Sequence, residues 1–360
     1  MGTLFYYLIF SLLIASAMIE NTISNKNKRF IIYSVWVILL ILMAGLRGKN
    51  VSNDYDNYLS SFNIYVSISD YFSNPVDYGY SEPGIYLVIA FMHLFSITYV
   101  KFLFITFASI AILIKIKAVV NLSPWVGLSI VVLFSNYYLL HEMTQIRGAI
   151  AVALLLLAIP DIYNRRPKAL LLKAGLGCIV HYSSILIIPL YFLHPKLFNR
   201  YINVAILIAS IILGLLNITV FTLIDKFSVG VISLKLNQYY ELLEAGVFTS
   251  INKFNVLILL RICIACFCIY YAHQLKEHSK YAYLILKLYI LSICSFYLFS
   301  SVPAIAFRIS EMLGISEIIL LPMIVYVFKE KTIAVGFVIG FALLNLVINV
   351  QILKLVNPYF

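Results

Sequence analysis

Charged side chains are scarce in this chain. Asp, Glu, Lys and Arg make up 11% of its 360 residues against 63% hydrophobic ones, and the mean hydropathy is +0.99. So low a polar content excludes a soluble globular domain with a water-facing exterior. Carboxylates are scarcer still, 15 against 26 Lys and Arg, which leaves a net charge of +11. In a soluble protein that excess would suggest a nucleic-acid partner. Here the basic residues cluster in short connections between apolar runs, which is the positive-inside signature of a polytopic membrane protein, and no nucleic-acid partner is expected. Cysteine is sparse and unpatterned. Cys178, Cys263, Cys266, Cys268 and Cys294 all lie within apolar runs, where thiols behave as small hydrophobes. Cys263, Cys266 and Cys268 have no His or carboxylate in their run, so no metal or other cofactor is expected. No internal repeat is present. No Lys or Arg precedes the first run, Leu4 to Ile19, so despite Ala15-Ser16-Ala17 it is expected to be a retained first span.

Apolar runs fall at about 3–19, 30–46, 83–99, 101–119, 123–140, 145–159, 169–193, 203–224, 255–272, 281–302, 309–328 and 332–351. Each is long enough, or nearly so, to span a bilayer. The expected fold class is all-α: a polytopic helical bundle with about 10–12 transmembrane helices and re-entrant half-helices, forming one transmembrane domain over 1–360. Lys26, Lys28 and Arg29 put the first loop inside and the polar stretch 47–82 outside. Counting back from Lys329, Lys331, Lys276 and Lys280 puts the loop 225–254 outside as well. The middle disagrees if every run crosses, because Lys115, Lys117, Arg165, Arg166 and Lys168 then land outside. Two non-crossing elements repair the fit: the short run from Pro83 to Tyr99, which holds His93, and the run 169–193. The latter is basic at both ends with His181-Tyr182-Ser183-Ser184 at its centre, as in a hairpin entering from the cytoplasm. About twelve residues at 1.5 Å each carry His181 roughly 18 Å into a 30 Å core. The competing reading is twelve full crossings.

Functional candidates are the polar residues that hydrocarbon tolerates poorly. An Arg costs roughly 3 kcal/mol at mid-membrane, yet Arg147 and Arg308 sit within or at the ends of apolar segments, as does His181. Small residues follow Arg147 in Gly148-Ala149-Ile150-Ala151-Val152-Ala153, so that face is expected to pack against protein; the alternative is an arginine snorkelling to headgroups. His141 and Glu142 form either an acid-base pair or a polar helix cap. Arg308 and Glu311 are three apart and could pair on one helix face, while Glu317, deeper in its run, needs a partner or a proton. The stretch 47–82 holds five carboxylates, including Asp54 and Glu82, and six tyrosines, including Tyr55 and Tyr80. That composition suits a carbohydrate, or simply a solvated loop with interfacial tyrosines. The loop 225–254 reads as a surface amphipathic helix that could act as a lid.

Three segments carry a resemblance: Leu46-Arg47-Gly48 with Asp54-Tyr55 a few residues on, Ile146 to Ala151, and His181 to Ser184. In this order they resemble the EpsG-like family of Wzy-type bacterial polysaccharide polymerases, with Arg308-Ile309-Ser310 as a weaker match. Ser52 stands where the family usually has glycine, and Gly148 where glutamine is commoner. The resemblance implies a multi-pass protein of the bacterial inner membrane. Such a protein joins undecaprenyl-diphosphate-linked repeat units into O-antigen or a related surface polysaccharide, with the diphosphate as leaving group. It implies lipid-linked glycans, membrane lipids and a chain-length regulator as partners. Arg147, Arg308 and Arg47 would hold the diphosphate. His181 is the first choice of base, Asp54 or Glu142 the second, with Glu82, Tyr55 and Tyr80 contacting glycan and no metal taking part. A transporter or flippase of lipid-linked oligosaccharide is the alternative from another class, though such folds often show repeated halves. A histidine-dependent acyltransferase would need its site open to the inside.

Overall fold

The computed structural model describes residues 2–64, 68–73, 82–221 and 251–359. Among these residues the regular structure is helical. Five helices are long and apolar enough to cross a membrane: α1 (Leu4–Thr22), α2 (Lys26–Gly45), α6 (Lys101–Leu122), α8 (Ile146–Tyr163) and the C-terminal α16 (Lys331–Val347) with its π-helical extension to Ile352. A sixth span forms if α11 (Val256–Tyr270) and α12 (Ala272–His278), bent by 78°, count as one. The chain is thus a multi-pass helical bundle, but fewer of its helices span unaided than the apolar runs suggested, because several runs are broken. The run at 83 forms only α5 (Pro83–Leu94), twelve residues. The run at 123 is α-helical over α7 (Val126–Leu133) and π-helical from Phe134 to Glu142.

The chain divides into two compact units, Met1–Leu193 with Ile318–Phe360, and His194–Glu317. In the first, contacts define two ends. At one end the C-terminal tail staples the segment after α2. Ser52 and Val356 form a β-bridge, Asn357 donates to the Val51 carbonyl at 2.9 Å, and Tyr359 donates to the Met43 carbonyl at 2.8 Å. Tyr6 at the start of α1 donates to the Asn357 carbonyl at 2.9 Å. At the other end, Glu20 accepts from Tyr33 at 2.5 Å and from the Gly127 amide at 2.6 Å, and the Trp125 indole donates to the Ala17 carbonyl at 3.1 Å. Helix α6 joins the two. Phe104, near its start, lies under Arg47, and its last turns line a groove with Lys26 and Arg29. The chain therefore leaves α2 and enters α6 at the same end, so α3 (Tyr55–Asn63), α4 (Ile68–Ser73) and α5 need not cross.

The run expected as a hairpin is also broken. Helix α9 (Pro167–Val180) runs antiparallel to α8, with Lys173 paired to Asp161, and ends at His181, whose backbone is extended (φ −156°, ψ 118°). Two short 3₁₀ turns, Tyr182–Ile187 and Pro189–Phe192, bring the chain back until Arg165 donates to the Tyr191 carbonyl. Ser184 packs so tightly on Gly177 that a Cβ there would collide with it. Lys26, Lys28, Arg29, Lys117, Arg165 and Lys168 then gather at one end, which the positive-inside rule assigns to the cytoplasm. Lys115 does not belong with these terminal charges. It lies fifteen residues into α6, wholly buried.

The second unit packs α10 (Arg200–Leu215), α11 and α12 around α13 (Ala282–Leu298), with α14 (Pro303–Gly314) against the same helix. Helix α15 (Glu317–Ile324) begins at its boundary. The loop 225–254, expected as a lid, falls almost entirely outside the described residues.

This topology makes a labelling prediction. Single cysteines placed at Lys168 and Phe192 should react with a membrane-impermeant maleimide from one side, and cysteines at Asn53 and Lys354 from the other. Labelling of 168 and 192 from opposite sides would replace the hairpin with a full crossing.

Candidate functional site

Glu82 is the residue around which the first unit's polar side chains assemble. It precedes Pro83, whose fixed φ suits the first helical position, so the chain enters α5 directly after the carboxylate. Gly84 lets α5 approach the break after α9; a Cβ there would lie 2.8 Å from the Ile179 carbonyl oxygen. Glu82 Oε1 lies 2.8 Å from His181 Nδ1 and accepts the Tyr182 amide at 3.4 Å, while Oε2 pairs with Arg147. Burial alone would raise the Glu82 carboxyl, but the hydrogen bond from His181 and the Arg147 charge hold it down at about 2. Because this value lies below the ordinary 4.5, the stabilisation is complete above about 4.5 and lost only as pH falls toward 2. With Glu82 ionised, His181 Nδ1 carries the proton and donates. Nε2 lies 3.3 Å from Ser183 Oγ.

Arg147 opens α8 as its second residue, and the small residues that follow, Gly148, Ala149, Ala151 and Ala153, are buried against protein as expected. Its own side chain is 31% exposed, so the guanidinium is held by Glu82 yet retains open donors. Tyr58, buried on α3, lies within electrostatic reach of both Arg147 and Arg47, whose charges counter the rise that burial imposes on its hydroxyl. Tyr58 was missed as a site residue. It belongs to the buried face of α3, with Tyr55 and Phe62 at helical spacing, a pattern legible in the sequence once α3 is recognised as a helix. The stretch 47–82 is thus not simply a solvated loop.

Arg47 is near but enclosed. It is fully buried, with its guanidinium 3.7 Å from the centroid of the Phe104 ring, Nε donating to Ser52 at 3.3 Å and Nη1 to the Ala44 carbonyl. Burial draws its guanidinium down to about 10, so it stays charged at neutral pH. Tyr55 packs on the same Phe104 ring at 5.0 Å. Asp54 is half-buried at the start of α3 and makes no capping hydrogen bond. Tyr80 lies outside the described residues.

Glu142 does not pair with His141. Its Oε1 lies 2.5 Å from Lys115 Nζ, with both side chains fully buried. The His141 ring lies over Tyr137, and neither of its nitrogens has a hydrogen-bond partner among the described residues. The π-helical segment ending at Glu142 re-aims these two residues relative to an α-helical run, a common feature of functional helices. The sequence signal for this pair was a lysine deep in an apolar run, the same signal that singled out Arg147.

Arg308 belongs to the second unit, exposed on α14, and no ion pair joins it to Glu311 among the described residues. Glu317 has the partner its burial requires in Arg261, whose Nε lies 3.0 Å away. Arg261, inside the run of α11, was missed although the same criterion applied to it. Among the described residues, no three His, Cys, Asp or Glu side chains gather as metal ligands.

Removing one member of the buried Lys115–Glu142 pair leaves the other charge uncompensated, at a cost of about 3–5 kcal/mol. Lys115→Met should sharply lower thermal stability in detergent, and Lys115→Met/Glu142→Leu should recover most of the loss. A double variant as unstable as the sum of the singles would contradict the pairing.

The chain is 26% identical over 209 residues to the amylovoran biosynthesis protein AmsC of Erwinia amylovora, covering 56% of this chain and 54% of that protein. The alignment thus spans about half of that relative's length. No solved structure matches the chain. The EpsG family profile matches residues 30–360, a range that includes every site residue named above. The chain belongs to the EpsG family.

Proposed function

We propose that this protein works in bacterial polysaccharide biosynthesis as a polymerase of the inner membrane. In this reading it joins undecaprenyl-diphosphate-linked oligosaccharide repeat units at the outer face, and the lipid diphosphate departs. Family membership and the likeness to an amylovoran biosynthesis protein support the polysaccharide role. The observation that carries the reaction is Glu82 holding Arg147 with one oxygen and His181 with the other. This sets a cation for phosphate and a base for a hydroxyl on either side of one carboxylate.

The chemistry follows from those positions. Arg147 offers its open donors to the diphosphate oxygens and offsets the negative charge that grows as the bond from the anomeric carbon to the diphosphate breaks. The acceptor sugar hydroxyl displaces Ser183 from His181 Nε2 and gives up its proton there as it bonds to the anomeric carbon. The imidazolium formed is stabilised by Glu82, which stays ionised and fixes the ring's orientation. Glu82 therefore acts through its two partners, and not as the glycan contact expected from composition. Tyr58 and Tyr55 pack on the Phe104 ring beside Arg47 and would offer aromatic faces there. Arg47, enclosed as it is, positions the segment bearing Asp54 and α3. Glu142, held by Lys115, has no part as a base in this reading.

A Lys at 147 supplies charge without the planar fork. Arg147→Lys should therefore reduce chain lengthening by about tenfold or more, and His181→Gln by about 10²-fold or more, read from the glycan ladder of a complemented deletion strain. Deleting the gene should leave single repeat units on the outer surface. Units trapped inside would favour a flippase, and an unaltered ladder with Arg147→Lys would remove Arg147 from the reaction.

A further inference from the structure

A groove of about 890 Å³ lies between α2 and α6 at the basic end of the first unit, remote from the Glu82 cluster. Phe104, which touches Arg47, and Lys117, which lines the groove, are thirteen residues apart on α6, about 20 Å along its axis. The mouth of the groove carries Lys26, Arg29 and Lys117, and its walls continue into Ile38, Leu113 and Ile116. Among the described residues, no carboxylate lines it. Glu20, close by in sequence, is already held by Tyr33 and the Gly127 amide. Arg29 spends its Nε on the Ile23 carbonyl at 2.6 Å, whereas Lys26 and Lys117 are exposed and form no ion pair among the described residues. Ile38 and Leu113 are 57% and 55% exposed, so the cationic mouth opens onto an apolar slot and not onto water alone.

We propose that this groove binds an anionic phospholipid of the cytoplasmic leaflet, its headgroup phosphate at Lys26, Arg29 and Lys117 and an acyl chain against Ile38, Leu113 and Ile116. Basic pockets between transmembrane helices at the cytoplasmic surface attract such headgroups, each nearby cation adding to the attraction. A free phosphate would satisfy the cations but leave the apolar walls bare. A zwitterionic lipid would fill the walls but bring its own cation to the mouth.

The test uses full-length protein purified and delipidated in detergent, with thermal stability titrated against phosphatidylglycerol, phosphatidylcholine and inorganic phosphate. Phosphatidylglycerol should bind about tenfold more tightly than phosphatidylcholine, and Lys26→Gln/Lys117→Gln should abolish that preference. Ile38→Trp keeps every cation, alters an exposed position and fills the slot, so it should weaken phosphatidylglycerol binding as well. Three results would each overturn the proposal: equal binding of the two lipids by the unaltered protein, inorganic phosphate stabilising it as much as phosphatidylglycerol, or unchanged phosphatidylglycerol affinity in either variant. These readouts do not involve polymer formation, so the groove and the polymerase reading stand or fall separately.

Discussion

A single carboxylate shared between two partners organises the polar interior of this bundle. Glu82 reaches Arg147 at the start of α8 and His181 at the break after α9, so three segments distant in sequence meet at one side chain. Each of these groups would be costly alone in a low-dielectric setting, and each offsets that cost for the others. The local structure makes the meeting feasible. Pro83 starts α5 immediately after Glu82, Gly84 allows the close approach to Ile179, and the extended backbone at His181 turns its ring out of the helix it terminates. The hairpin after α9 is part of the same arrangement, since a continuous helix through 181 would carry the histidine past Glu82.

The buried charges elsewhere obey the same rule. Lys115 is matched to Glu142 and Glu317 to Arg261, while Arg47 is met by the Phe104 ring, a serine hydroxyl and a carbonyl. A cation held by an aromatic face and neutral acceptors keeps its charge without surrendering it to a carboxylate. The C-terminal tail then closes over the adjoining segment through Ser52, Val356 and Asn357, joining the ends of the chain beside the site.

Much of this was legible in the sequence, because a membrane imposes simple accounting on apolar length and on charge. The distribution of Lys and Arg pointed to the runs at Pro83 and at His181 as the irregular ones, and both are indeed short or broken. Arg147 and His181 stood out for being expensive where they lie. Partner choice was not legible. Glu82 stood out in the polar stretch as a candidate glycan contact, but its partners depend on where α8 and α9 bring their ends. Glu142 read as half of an acid-base pair with His141 or as a polar helix cap, but the π-helical segment turns it toward Lys115, 27 positions away. Tyr58 emerges only once α3 folds and presents its apolar face.

A double-mutant cycle between Glu82→Gln and His181→Gln, read as chain-lengthening rate in membranes of a deletion strain, tests the shared carboxylate most directly. If Glu82 acts in part by orienting and stabilising His181, the double variant should be clearly less impaired than the product of the two single losses, because the His181 share is lost once and only the hold on Arg147 is lost in addition. Losses that multiply would show that Glu82 and His181 act independently, and the account of a single cluster would be wrong.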